Sequence, residues 1–304
     1  MNQPSVIAPL MVGVGLRHQH FHDVLIAPSQ LDFIEVHSEN FFGKGGAALH
    51  ILDQVRALLP VSLHSIALGL GSETNIPEAY LSSLRQLSHH IDPFLMSDHA
   101  CFSWGQHHNQ VLSIGDLLPI AHNQQNINRM ADNINRVQDL LGRALIVENV
   151  SAYVTLPGSI MTEAEFLAHL LDKTQGKLLL DINNICVSAS NENAVDIQAY
   201  VRQYLAQLPQ NAVGEYHLAG CTPAAEGQLL IDDHAQPVSE TVWECFKLAL
   251  ERFGPAPTLI EWDNNLPQWQ VLVNEAQKAR QVAKSVLENS SCTSSEANEI
   301  AGVE

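Results

Sequence analysis

Leu178-Leu179-Leu180-Asp181 is apolar for three residues, ends in a carboxylate, and lies between two stretches of helical apolar spacing, residues 165–171 and 195–208. A short continuous apolar run is what a strand covered on both faces requires, and helices cover both faces of parallel sheets. The same unit recurs outward from it. Residues 11–16, 33–37, 61–64, 94–99, 144–148, 213–217 and 258–261 have strand length, and helical spacing returns in residues 51–59, 80–87, 117–141, 242–253 and 269–287. Eight runs alternating with helices specify an α/β fold, a (β/α)8 TIM barrel, with its active site at the carboxyl ends of the strands. At 304 residues the chain exceeds the roughly 250 typical of such a barrel, so one catalytic domain, residues 1–288, accounts for nearly all of it. Residues 289–304 are rich in small polar residues without apolar periodicity and read as a disordered tail.

The balance of 33 acidic against 15 basic residues, net −18, opposes the phosphate attraction on which nucleic-acid binding rests. No Lys or Arg precedes Arg17 and no apolar segment is long enough to span a bilayer, so a cytoplasmic protein without a membrane partner is expected. Five cysteines, odd in number and without a C-x-x-C pair, argue against a disulfide framework and against a thiolate metal cluster.

Residues two apart on a strand share a face. Glu215 with His217, Asp181 with Asn183, Asp232 with His234, and Glu261 with Asp263 have that spacing. A single such pair is more often a helix cap or a satisfied polar residue than a ligand pair. The joint pattern outweighs that reading: six strand ends carry His64, Asp98-His99, Glu148-Asn149, Asp181, His217 and Glu261. Charges gathered in one cavity are costly unless paired or metal-bound. Nitrogen and oxygen donors without thiolate suit iron, manganese or zinc, and the set is too large for one ion; ligand type does not choose among these metals. By contrast, Arg17-His18-Gln19-His20-Phe21-His22 reads as an exposed loop, His89-His90 and His107-His108 as solvent-facing, and Gly43-Lys44-Gly45-Gly46 as a flexible loop lacking P-loop spacing.

The segments Glu35-Val36-His37-Ser38-Glu39-Asn40-Phe41-Phe42-Gly43, Ser97-Asp98-His99, Glu148-Asn149-Val150-Ser151-Ala152-Tyr153, Leu180-Asp181-Ile182-Asn183-Asn184, Glu215-Tyr216-His217-Leu218-Ala219-Gly220 and Ile260-Glu261-Trp262 carry a resemblance. Together, in this order, they resemble the multinuclear non-haem iron-dependent oxidative enzymes, from about Gly13 to Asp263. That resemblance implies a xylose-isomerase-like barrel holding two or three iron ions, Fe2+ and Fe3+, and using O2 as co-substrate to modify cysteines of a ribosomally made precursor peptide. Carried onto matching positions, it implies metal ligands at His64, His99, Glu148, Asp181, Asn183, His217, Asp232, His234 and Glu261, with Glu148, Asp181 and His217 central to catalysis. His37, Glu39, Asp98, Asn149, Asn184, Glu215, Cys221 and Asp263 are implied to stand behind the ligands or to touch substrate.

Two positions depart from the commoner pattern: Cys221 stands where a His usually follows Ala-Gly, and Glu192 where a His often follows the Asn-Asn segment. These departures tilt the resemblance toward the methanobactin-type branch. There the iron subunit works with a small leader-binding partner protein and converts cysteine to an oxazolone with a neighbouring thioamide. The rivals are a multinuclear divalent-metal hydrolase or phosphodiesterase, a sugar isomerase, and a metal-storage or peptide-binding protein. The first calls for a basic groove that an acidic chain lacks, and the second for carboxylates and a lysine base over this many histidines.

Overall fold

The computed structural model describes residues 10–300 apart from Asn109 and Glu226, with side chains described through Asn289. Eight parallel strands close a barrel: β1 (Val12–Gly15), β2 (Phe33–His37), β3 (Val61–His64), β4 (Leu95–His99), β7 (Ile146–Glu148), β8 (Leu178–Asp181), β9 (Val213–Leu218) and β10 (Thr258–Ile260). They neighbour one another in chain order, and β1 pairs with β10, Val14 opposite Ile260, to complete the ring. This is the (β/α)8 architecture expected from the apolar runs.

Alternation along the strands sorts side chains between the barrel interior and the helical layer. On β9, Glu215 and His217 belong to the buried polar interior, while Tyr216 packs edge-on against Phe246 of α8 (Glu240–Phe253), ring centres 5.4 Å apart. Helix starts are set by local polar residues. Asn123 caps α4 (Gln124–Leu141), Thr162 and Glu165 form a capping box on α5 (Glu163–Thr174), Asp196 caps α7 (Ile197–Gln207) and Ser239 caps α8.

The structure departs from the sequence reading in five places. Residues 117–141 are not one helix: a strand runs through Leu118 and α4 begins at Gln124. That strand, β6 (Gln110–Leu118), forms an antiparallel hairpin with β5 (Phe102–His107) outside the barrel, an element the apolar pattern did not reveal. Residues 182–191 form a helix, α6 (Ile182–Asn191), whose cap is Asp181 itself. The Arg17–His22 tract is not simply an exposed loop, because it folds into a 3-10 turn and the start of α1 (Phe21–Ile26) with His20 buried. The shorter α2 (Ala47–Arg56) and α3 (Glu78–Ile91) fall where helical spacing put them. The last helix, α9 (Trp269–Ile300), continues through most of the stretch expected to be a tail; side chains beyond Asn289 and residues 301–304 lie outside the described residues. Among the described residues no helix is long and apolar enough to cross a membrane.

The loop after β9 returns across the barrel mouth through a close backbone crossing. A Cβ on Gly220 would lie 2.0 Å from the Pro237 carbonyl oxygen and 2.5 Å from that of Gln236. The Gln236 amide donates to the Gly220 carbonyl at 3.2 Å, so the crossing is held as well as tight. It delivers His234, whose φ of 44° lies in the left-handed region that non-glycine residues seldom occupy.

Candidate metal centre

Strand register builds the centre. His37 lies opposite His64, His64 opposite Ser97, His99 opposite Glu148, and Asp181 opposite His217. The interior therefore has two polar tiers. Below, Ser62 donates to Glu35 at 2.8 Å; above, the imidazoles and carboxylates meet. Two donor clusters result, each with its atoms within 4.8 Å of one another: His64, His99 and Glu148; and Glu148, Asp181, His217 and Glu261. Glu148 belongs to both.

The contacts are those of groups facing a common centre. Glu148 Oε2 lies 3.4 Å from His64 Nε2 and 3.2 Å from His99 Nε2, yet it accepts no hydrogen bond. His217 Nδ1 is 3.0 Å from Glu261 Oε2 and 3.9 Å from Glu148 Oε1. Asp181 uses one oxygen to cap α6, accepting from the Asn184 amide at 2.6 Å, and its other oxygen is buried without a partner. Helix capping and site membership are thus not exclusive here. Nitrogen and oxygen donors gathered this closely can share a cation, which imidazole and carboxylate ligands approach to roughly 2.0–2.2 Å. The unpartnered buried oxygens are what a cation would satisfy, so the residues fit a metal centre of at least two ions sharing Glu148.

Orientation comes from behind the ligands. Ser97 Oγ lies 2.7 Å from His64 Nδ1 and leaves Nε2 for the cavity. Glu35 Oε1 lies 3.3 Å from His217 Nε2 and leaves Nδ1 for the second cluster. Arg17 pairs with Asp263, contacts His37 Nε2 at 3.0 Å, and comes within 3.8 Å of Glu261. Arg17, Glu35, Ser62 and Ser97 escaped the sequence reading. The period-two rule that paired Glu215 with His217 would also have paired Glu35 with His37; nothing in the sequence singled out Arg17.

Burial draws His64 well below the ordinary imidazole range and His99 down to about 3, so both rings are neutral with lone pairs available. Burial also pushes Glu148 well up and Asp181 up to about 7. For Glu261 burial is outweighed by His234 and His217, which hold it at about 2. His217 is raised by Glu35 and Glu261 against burial, and His234 by Asp232 and Glu261.

The remaining expected residues divide. Asp232 and His234 lie 2.7 Å apart, Asn183 donates to Asp232 at 2.7 Å, and His234 Nδ1 is 3.3 Å from Glu261, which makes a third polar group beside the shared clusters. His37 and Asp263 form a further donor group with Glu261. Glu215 is buried with both oxygens unpartnered, grouped with Glu35 and His217. Asn149 exchanges hydrogen bonds with the Asp181 backbone, both 2.9 Å, and Asn184 donates to the Asn149 carbonyl at 3.0 Å. Asp98 and Glu39 hold loops, and Glu39 also lines the donor cavity with its Oε2 buried and unpartnered. Asp98 accepts from the Leu68 and His99 amides, and Glu39 from the Ile66 and Ala67 amides and the Tyr80 hydroxyl. Cys221 is half-buried where the returning loop starts, its thiol pushed up to about 11 by burial, and lies in neither cluster. Glu192 is exposed and faces a different cavity.

The donors open into a cavity of about 420 Å³ walled on one side by β6, and a lateral cavity of about 640 Å³ adjoins it at Val150 and Ser151. Glu163 ties the wall between them, accepting from the Val150 amide at 3.1 Å and the Tyr204 hydroxyl at 2.8 Å, and burial pushes its carboxyl up to about 7. Because the folded value exceeds the ordinary 4.5, the destabilisation is absent below pH 4.5, grows to about pH 7 and is constant above. Thermal unfolding of Glu163→Gln across this range is expected to gain on wild type as pH rises. Parallel curves would show that the carboxyl does not titrate there.

Three comparisons bear on this geometry. A UPF0276 protein of Anaeromyxobacter sp. is 40% identical over 275 residues, covering 90% of this chain and 93% of the relative. A UPF0276 protein of Chromobacterium violaceum is 40% identical over 274 residues, covering 90% and 95%. Among solved structures, D-psicose 3-epimerase from Clostridium cellulolyticum H10 superposes with a TM-score of 0.57 at 13% identity, covering 91% of this chain and 99% of that one. Endonuclease IV from Thermus thermophilus gives 0.57 at 17%, covering 92% and 99%. At those identities the likeness is one of fold. The family model described as RiPP precursor modification enzyme MbnB/TglH/ChrH matches residues 11–284, and the chain belongs to that family.

Proposed function

We propose that this chain is an iron- and O2-dependent oxidase that modifies cysteine in a ribosomally made precursor peptide, giving oxazolone and thioamide groups of the methanobactin type. The observation that carries the reading is Glu148, a buried carboxylate shared by two donor clusters at the mouth of the barrel. The neutral imidazoles of His64 and His99, with Glu148, would hold one iron, and Glu148, Asp181, His217 and Glu261 a second; Asn183, Asp232 and His234 are candidates for a third. Bound iron would supply the electron transfer and O2 reduction that side chains cannot perform. The chain's own residues do the rest. Ser97 and Glu35 fix the imidazoles, Arg17 offsets Asp263 beside Glu261, and the β5–β6 hairpin and the loop after β7 wall the cavity.

Forming the ring and thioamide takes about four electrons and four protons from the cysteine and its neighbour, matching reduction of one O2 to two waters. A small partner protein that binds the leader segment would present the cysteine. A cytoplasmic setting suits the unpaired Cys101, Cys186, Cys221 and Cys245. Protein produced with ample iron should carry at least two irons per chain by elemental analysis. It should consume O2 only with a cysteine-containing precursor encoded beside its gene and, where required, the partner. Serine in place of that cysteine should abolish turnover, since an alcohol is a far weaker ligand than a thiolate. Stoichiometric zinc with no O2 uptake would overturn the reading in favour of a hydrolase.

A further inference from the structure

From the β5–β6 hairpin we infer that the outer edge of β6 is a strand-addition site for the precursor peptide, guiding an extended main chain into the metal cavity. The inference rests on the peptide substrate proposed above. Ser113, Gly115, Asp116 and Leu117 of β6 line the cavity that also exposes His64, His99 and Glu148, so this strand is at once surface and wall. Residues 110–117 are all exposed, Val111, Leu112, Ile114 and Leu117 among them. The strand contains neither Lys nor Pro, and Asp116 is its only charge. Long apolar edges without such blunting invite pairing with another chain.

Only one edge of the hairpin is available. The outer side of β5 is occupied: the Ser103 and Trp104 amides donate to Ser72 Oγ at 3.1 Å each, Thr74 Oγ1 donates to the Trp104 carbonyl at 3.2 Å, and the Trp104 indole donates to the Ala67 carbonyl at 2.7 Å. The hairpin is thereby anchored to the barrel. On β6 the ladder with β5 covers Gln110–Ser113 and resumes at Leu118. Ile114 to Leu117 bulge out of the ladder beside the cavity, the Gly115 and Leu117 amides turned to the Ser113 and Asp116 side chains and the Asp116 carbonyl to Ser103 Oγ. Bulges of this kind recur next to active sites.

The ladder-paired part of the edge, Gln110–Ser113, spans about 13 Å at the usual strand rise and runs to Ser113, which lines the cavity. Strand addition draws affinity from main-chain hydrogen bonds and tolerates varied side chains. A peptide is favoured over a second copy of this chain because the edge leads into the cavity, where an extended segment can deliver one residue to the donors.

The test uses a fluorescein-labelled synthetic peptide, Lys-Thr-Val-Thr-Cys-Thr-Val-Thr-Lys, titrated by anisotropy against the iron-loaded full chain, with an N-methyl group walked along its amides. Strand addition predicts loss of affinity of about tenfold or more at alternate amides and little change at those between, because only every second amide faces the edge. Ile114→Pro should weaken binding similarly while leaving circular dichroism and the melting midpoint near wild type, since Ile114 has no β5 ladder bond to lose. A flat N-methyl profile, no binding at millimolar peptide, or unaltered affinity in Ile114→Pro would overturn the inference. So would a dimer in sedimentation velocity that Ile114→Pro dissociates, which would assign the edge to a second copy. An alternating profile, with no O2 uptake when the precursor encoded beside the gene and the partner are supplied, would leave the edge standing and sink the oxidase reading; cysteine-dependent uptake from that precursor with a flat profile would do the reverse.

Discussion

Glu148→Gln is expected to strip metal from both clusters together and to lower turnover by about a thousandfold or more, because the amide keeps the volume but cannot bridge two cations. His99→Ala should be milder on metal content, losing the ion of its own cluster while Asp181, His217 and Glu261 keep theirs. Elemental analysis of the two variants, beside O2 uptake, separates a shared ligand from two independent ones. The metal-free proteins should rank the other way in stability. Burial raises the Glu148 carboxyl, so its cost sets in as pH climbs past 4.5, and the glutamine variant escapes it near neutrality. Two ions retained per chain in Glu148→Gln would show that the clusters do not share this residue.

Gly220→Ala should be the most damaging single-methyl change in the loop after β9. Its Cβ would meet two backbone carbonyls, which cannot swing aside as a side chain can. The crossing must open, at a cost of about 3 kcal/mol or more. Because the crossing delivers His234, metal retention by the Asp232–His234 group should fall even where the barrel survives. Urea unfolding and elemental analysis of the variant check both effects, and an unchanged midpoint would show that the loop yields freely.

The sequence disclosed the barrel because its strands are short, apolar and separated by amphipathic helices, and register did the rest: His99 opposite Glu148 and Asp181 opposite His217 follow from parallel pairing. The hairpin was hidden for a physical reason. Residues 110–117 are exposed on both faces, so no buried side imposes the alternation by which strands are read, and Leu117 and Leu118 merged with the periodicity of α4. Asp181 shows the opposite difficulty, since one oxygen caps a helix while the other faces the cavity, and composition cannot tell that a residue does both. Asp98 carries the right chemistry in the right segment, yet its oxygens go to the Leu68 and His99 amides, while Glu39 gives one oxygen to loop amides and keeps the other unpartnered. Arg17 becomes meaningful only when the two ends of the sheet meet.

That meeting of β1 with β10 governs the order in which a newly made chain can assemble its donor groups. His64, His99 and Glu148 are all made by residue 148, on barrel strands that pair side by side, and can gather while synthesis continues. The second cluster has no such head start: Glu261 emerges with the last strand, and Arg17, made long before, waits for Asp263. The His64, His99 and Glu148 donors can therefore gather first, and the full donor set exists only once Glu261 and Asp263 have reached Arg17.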